Sequence, residues 1–96
     1  MRRREYDISI TVNDVKINKV IIDPHYELKH AESITDELII ELVKKLDGIE
    51  IEPQEIDEPF AYYVRDQLKY QGKMYKLIWL MEDHQIYIGI VNAYRR

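Results

Sequence analysis

The chain has no cysteine, so disulfides and thiolate chemistry are excluded and stability rests on packing alone. Glycine and proline are scarce, three of each in 96 residues, and no repeat or low-complexity segment is present. No apolar run approaches the roughly 20 residues needed to span a bilayer. No apolar signal core follows the basic start Met1-Arg2-Arg3-Arg4-Glu5. The expectation is one cytoplasmic domain over residues 1–96, without a membrane partner. Metal-finger, phosphate-loop and catalytic-triad signatures are missing too, so neither a metal nor a cofactor is expected.

The charge that is present is unevenly spread. The net charge is −4. Met1 to Ile22 carries five Lys/Arg against three Asp/Glu, Asp23 to Pro59 three against twelve, and Phe60 to Arg96 six against three. An acidic middle thus lies between two mildly basic segments. If those segments share a sheet, the molecule has a basic sheet and an acidic helical layer, which suits a local anionic partner despite the low overall pI.

Periodicity sets the elements. Tyr6, Ile8, Ile10 and Val12 alternate with polar residues and read as a half-buried strand. Asn13-Asp14 fits a two-residue hairpin turn, and Val15 to Ile22 returns as a second strand, with Val15, Ile17 and Ile21 on one side. Asp23-Pro24 stops it. Ser33 suits a helix cap. The stripe Ile34, Leu38, Ile39, Leu42, Val43 and Leu46 follows, and Gly48 suits the stop. Ile40 points away from that stripe, either as a tolerated exposed residue or as a contact. Ile49 to Pro59 reads as an acidic connection with a short extended piece at Ile49 to Ile51. Phe60 to Tyr70, Met74 to Glu82 and Ile86 to Arg95 then form a meander, turned by Gln71-Gly72 and Asp83-His84. The fold class is α+β: a mainly antiparallel five-stranded sheet, ββ-α-βββ, with one helix packed on one face.

Two-residue turns set a register in which Val64 faces Trp79, Trp79 faces Ile88 and Lys76 faces Val91. One face then holds Phe60, Tyr62, Val64, Leu68, Tyr75, Leu77, Trp79, Met81, Ile86, Ile88 and Ile90, the core under the helix. The other holds Tyr63, Arg65, Lys69, Lys76, Ile78, Leu80, Tyr87, Val91 and Arg95, with a shallow depression at Gly89. That face reads either as a partly solvated outer surface with snorkelling cations or as an RNA-binding one, with cations on phosphates and tyrosines stacking bases. A bulge in the last strand would exchange Tyr94 and Arg95. Asp66 and Asn92 fall on the core face in this register and need partners there.

Three stretches carry a family resemblance: Lys29-His30-Ala31-Glu32-Ser33 before the helix, Tyr63-Val64-Arg65 on a strand, and the closing Gly72-Lys73-Met74-Tyr75-Lys76 hairpin with its Tyr94-Arg95-Arg96 end. From about His25 onward the chain resembles the small toxins of the RelE-like superfamily, with the BrnT type among the nearer likenesses. The resemblance implies metal-independent RNA cleavage and a cognate antitoxin as partner. It implies His25 or His30 as acid or base, Arg65 and Arg95 stabilising the phosphate, and Tyr63, Lys69, Lys76, Tyr87 and Arg96 holding RNA. The chain departs from these toxins in its acidic net charge and in its opening hairpin. A reading of another class is a non-catalytic interaction module that dimerises or binds a protein partner through Ile78, Leu80 and Val91, and a third is an immunity or antitoxin-like protein whose acidic Ile49 to Pro59 segment mimics an anion against a basic toxin.

Overall fold

The computed structural model describes residues 3–23 and 34–96. Their order is β1 (Arg4–Val12), β2 (Val15–Ile22), α1 (Asp36–Lys44), β3 (Glu55–Asp57), β4 (Phe60–Tyr70), β5 (Lys73–Glu82) and β6 (Tyr87–Arg95). The strands form one mixed sheet in the order β1-β2-β6-β5-β4-β3. The α+β class matches the sequence reading. The strand count and the pairing differ from it in two places. The acidic connection contributes β3, which pairs with the start of β4. The last strand returns beside β2 in parallel, from Lys19 opposite Tyr87 to Ile22 opposite Ile90. A parallel pair needs a crossover, and α1 with the β3–β5 segment supplies it.

The opening hairpin turns where the residues tolerate left-handed backbone, at Asn13 (φ 51) and Asp14 (φ 63). In β1 the burial alternates as the sequence implies, and Ile10 and Val12 reach the core. In β2 the buried set changes phase, from Ile17 to Val20 and Ile22. The change falls where the pairing with β1 shifts between Asp7 and Ile10. Val20 is therefore fully buried and Ile21 is not, the reverse of a simple alternation.

Helix α1 is capped by Thr35, whose Oγ1 accepts the Leu38 N–H at 3.1 Å. That is two residues beyond the expected cap, Ser33, which lies outside the described residues. Asp36 and Glu37 occupy the first turn, where negative charge complements the helix dipole. Ile39, Leu42 and Val43 are buried against the sheet, flanked by Ile34 and Leu46. Ile40 is partly buried against the same core rather than free.

Past Gly48 (φ 83), the chain follows the edge of β1. The Gly48 N–H donates to the Thr11 carbonyl at 2.7 Å, and Ile49 bridges Val12 in parallel. The Ile51 N–H donates to Asn13 Oδ1 at 2.7 Å. A few residues on, the Gln54 N–H donates to the Tyr62 carbonyl at 2.7 Å. One short stretch thus touches β1 and β4, four places apart in the sheet, which the sheet permits by curling around α1. The Glu58–Pro59 peptide that ends this stretch is cis.

The meander turns at Gln71 (φ 51) and Gly72 (φ 77), as the sequence implies. Near the turn Leu68 faces Tyr75 and Lys69 faces Met74. Between Arg65 and Leu68 a bulge, with Gln67 at φ 59, shifts the register by one. Tyr63 rather than Val64 then faces Trp79, and the two rings stack at 5.5 Å and 14°. Phe60, Tyr62 and Val64 pass to the outer face. Across the next turn the pairing is two residues longer than a tight hairpin gives, with Met81 opposite Ile88. An even offset leaves Ile88 and Ile90 on the core side, although Ile86 falls outside the strand and is 49% exposed. A second shift, between the partners of Ile78 and Trp79, leaves Val91 exposed. Beyond it Tyr94 stands beside Lys76 on the outer face, and Arg95 faces Tyr75 on the helix side. This is the exchange a bulge was expected to produce. The same two shifts remove Asp66 and Asn92 from the core, and no polar side chain is fully buried among the described residues.

Candidate functional site, a basic end on the meander

The register divides the sequence-predicted residues between two sides of one sheet. Arg65 and Arg95 are exposed on the helix side, in neighbouring rows: Arg65 across from Leu77, and Arg95 across from Tyr75. Their backbones are two strands and one row apart, about 12 Å from the usual sheet spacings, so two extended guanidinium groups can meet on one phosphate. Tyr63, expected on the RNA face, is instead 8% exposed in the core under Trp79. Lys69, Lys76 and Tyr87 do lie on the outer face. Arg96 follows the end of β6 and pairs with Asp66, Nε to Oδ1 at 3.0 Å. His25 and His30 lie outside the described residues.

What gathers the cations is position along the strands. Arg65, Lys69, Lys73, Lys76, Arg95 and Arg96 all lie at the end of the meander marked by the Gln71-Gly72 turn, with Asp66 as the lone carboxylate. Helix α1 adds Lys45, whose Nζ sits 5.8 Å from the Tyr70 ring centre. Lys76 Nζ lies 5.7 Å from the Tyr94 ring centre. Leu46 to Val64 and Leu77 to Tyr94 hold eight carboxylates and no Lys or Arg, and those carboxylates lie towards the opposite end. The expected contrast of a basic sheet with an acidic helical layer is therefore replaced by a contrast between two ends. The whole-segment count concealed it, because Glu82 and Asp83 share a segment with the cations yet fold to the far end. The signal was the stretch from Gln67 to Met81, which has no acidic residue.

The cavities lie away from the basic end. At the acidic end a hollow of about 500 Å³ opens between the Asn13 and His84 turns, floored by Tyr63 and Met81. On the outer face a smaller one of about 200 Å³ sits at Gly89, walled by Phe60, Leu80 and Tyr87, with Arg3 and Asp23 at its rim. This is the depression expected from the glycine. A Cβ on Gly89 would lie 2.9 Å from Leu80 Cδ1, so the missing side chain is what lets Leu80 lean across. Tyr87 donates its hydroxyl to Glu82 Oε1 at 2.6 Å. Burial and that carboxylate push its phenol up to about 12.

One polar cluster was not foreseen. Asp36, at the start of α1, receives Arg4 Nε at 2.5 Å and Arg4 Nη2 at 2.9 Å, and the Tyr6 hydroxyl also donates to it. The Arg4 hydrogen bonds hold the Asp36 carboxyl below its usual value, and the carboxylate raises the Tyr6 phenol. Sequence separations of 30 and 32 hid the contact, which fastens the helix to an edge strand. Among the described residues no three His, Asp or Glu side chains group as a metal-binding set. No described helix is long and apolar enough to cross a membrane. Comparison with protein families, curated proteins and solved structures finds no match to this chain in any of the three.

Proposed function

We propose that the basic end of the meander binds RNA and that the protein is a toxin-type endoribonuclease of the RelE-like kind. The observation that carries this reading is the gathering of Arg65, Lys69, Lys73, Lys76, Arg95 and Arg96 against one carboxylate, beside the rings of Tyr70 and Tyr94. Single-stranded RNA suits such a surface, because cations neutralise its phosphates and any base can stack on an aromatic face. The helix-side pair Arg65 and Arg95 has no ion-pair partner among the described residues and stands ready for a phosphate.

Cleavage without a metal would proceed by attack of the ribose 2′-oxygen on the neighbouring phosphorus. A base takes the 2′-proton, an acid protonates the departing 5′-oxygen, and cations stabilise the extra negative charge of the five-coordinate phosphate. Arg65 and Arg95 are assigned the last role, and His25 or His30 the proton transfers.

The test is binding and cleavage of a fluorescent single-stranded RNA by purified protein, with growth of cells expressing it as a second readout. Four phosphate contacts would make log K fall with log salt at a slope of roughly −3. Arg65→Glu with Arg95→Glu is expected to weaken binding at least about tenfold. His25→Ala and His30→Ala are expected to spare binding and abolish cleavage and growth arrest. Salt-independent or undetectable binding by folded protein overturns the RNA reading. Intact RNA and unimpaired growth with normal binding overturn the nuclease reading alone.

A further inference from the structure

The outer face of the sheet is apolar in the middle and charged with opposite signs at its two ends. Its rows can be read across the strands. At one end Asp57 lies opposite Phe60, Phe60 opposite Glu82, and Asp7 opposite Lys19. The next row runs Glu55, Tyr62, Leu80, Gly89, Ile21, Glu5. Val64, Ile78 and Asn92 follow. Then come Lys76 and Tyr94, and last Lys69, Met74 and Arg96. The cations at these two rows are Lys19, which is paired with Glu5 at 3.5 Å, and Arg3, at the rim of the cavity at Gly89. No element among the described residues covers this face: α1 packs on the other side.

We infer that this face binds a second copy of the same chain, the two sheets stacked face to face with β5 antiparallel to its counterpart. On β5 the outward residues are Met74, Lys76, Ile78, Leu80 and Glu82. A two-fold axis lying between the sheets, parallel to them and perpendicular to β5 at the level of Trp79, lays Lys76 over Glu82 of the second copy and Ile78 over its Leu80. Because the contact is isologous, each ion pair forms twice. The same rotation sets Lys69 on β4 towards Asp57 on the neighbouring β3 of the other copy. Parallel stacking would set like charges together and is excluded by the same pattern. Aligned sheets pack about 10 Å apart with their strands crossing near 30°, which long Lys and Glu side chains span. Four strands about 4.8 Å apart and roughly 30 Å long offer about 600 Å² per copy, or about 1,200 Å² in all, at the lower bound for a specific interface. The contact takes up Lys69 and Lys76 of the basic end and leaves the helix side, with Arg65 and Arg95, open to solvent.

The test is sedimentation velocity over a range of protein and salt concentrations. Wild type is expected to pass from monomer to dimer with rising concentration, more readily at low salt. Lys76→Glu and Glu82→Lys each set two like-charged pairs at the interface and are expected to weaken the dimer at least about tenfold. Mixing the two variants restores both ion pairs in a heterodimer. The double variant, with the charges exchanged within one chain, restores them in a homodimer. Recovery in both cases establishes the antiparallel register. Circular dichroism verifies that each variant is folded. A protein that stays monomeric at all concentrations overturns the inference. So does a dimer that ignores the single substitutions, or one that neither mixture nor double variant recovers. RNA binding through Arg65 and Arg95 is measured separately with Glu82→Lys, whose site lies outside the basic end, and is expected to be retained by that monomer.

Discussion

On its helix side the β4–β6 meander buries Leu68, Tyr75, Leu77, Trp79, Met81, Ile88, Ile90 and Ala93. On its outer side Tyr62, Val64, Ile78 and Leu80 keep part of their surface in water. The same three strands supply both sets, so propensity does not distinguish them. The partner does: α1 covers the first face, and nothing among the described residues covers the second. The helix side is also free of buried charge, whereas the outer side carries its charges sorted by end. A surface that no described residue covers, with its charges sorted in this way, suits the dimer inferred above, while the opposite surface holds the fold.

The sharpest way to test that contrast is to truncate one residue from each face of β5. Trp79 has no exposed surface, stacks on Tyr63, and is the largest fully buried side chain. Trp79→Ala is expected to lose about 3–5 kcal/mol of unfolding free energy, enough to unfold much of a small domain. Ile78→Ala, the next residue but on the outer face, is expected to lose about 1 kcal/mol or less in the monomer. Its larger effect should fall on the dimer. Urea unfolding of both variants at low protein concentration checks this, and equal losses would erase the distinction between the faces. Within the Trp79 site the indole Nε1 is buried without a hydrogen-bond partner. Some of what the ring contributes by burial is therefore offset by a desolvated donor.

A second contrast is between the charged groups that act within the fold and those left at its ends. The Arg4–Asp36–Tyr6 cluster is partly buried, at 27% and 22% side-chain exposure for Arg4 and Asp36, and joins elements 32 residues apart. Lys44 and Glu41 form an exposed pair one turn apart on α1. Asp36→Asn is expected to cost about 2 kcal/mol, since it weakens charge-assisted hydrogen bonds. Lys44→Ala is expected to cost about 0.5 kcal/mol or less. The Asp36 carboxyl is held below its usual 3.8 in the folded protein. Its contribution is thus present above that value and lost as the pH falls through the lower folded value. Unfolding measured from pH 6 downward should show a shallower acid decline for Asp36→Asn than for wild type. An unchanged acid limb would mean that the cluster does not couple helix to sheet.

The unequal legibility of these features has physical causes. Alternation in Tyr6 to Val12, the helix stripe and the turn residues Asn13-Asp14 and Gln71-Gly72 are local signals, and each of them gave the right element. Register is not local. One residue in left-handed backbone, Gln67, reversed the faces of Phe60 to Val64, put Tyr63 in the core and took Asp66 out of it. The expected clash of Asp66 and Asn92 with the core was the sequence-level sign of those bulges, since a polar side chain without a buried partner argues for a slip. The second hairpin kept its faces despite a longer turn only because the offset was even. The parallel β2–β6 pair and the Arg4–Asp36 contact depend on chain return over tens of residues, and no periodicity reports that. The basic end became legible only once strand direction placed Glu82 and Asp83 far from Lys69 and Lys76.

The smallest expected effect separates the two ends on the outer face itself. Tyr87 and Tyr94 both lie on β6 and both face outward, but Tyr94 sits beside a cation and Tyr87 gives its proton to a carboxylate. Burial, and then the Glu82 hydrogen bond, raise the Tyr87 phenol from 10.0 to about 12. A raised phenol stabilises the fold while it stays neutral, so this contribution is complete below pH 10 and is lost as the pH rises through about 12. In Glu82→Gln the amide oxygen still accepts the hydrogen bond, but the negative charge is gone. The phenol should then ionise at lower pH while remaining above 10, because burial, the larger cause, is untouched. Ultraviolet absorbance follows the ionisation, with Tyr87→Phe marking which part of the curve belongs to this residue. A curve that does not move in Glu82→Gln would show that the carboxylate does not hold Tyr87, and the acidic end of the outer face would then be less ordered than its partner row requires.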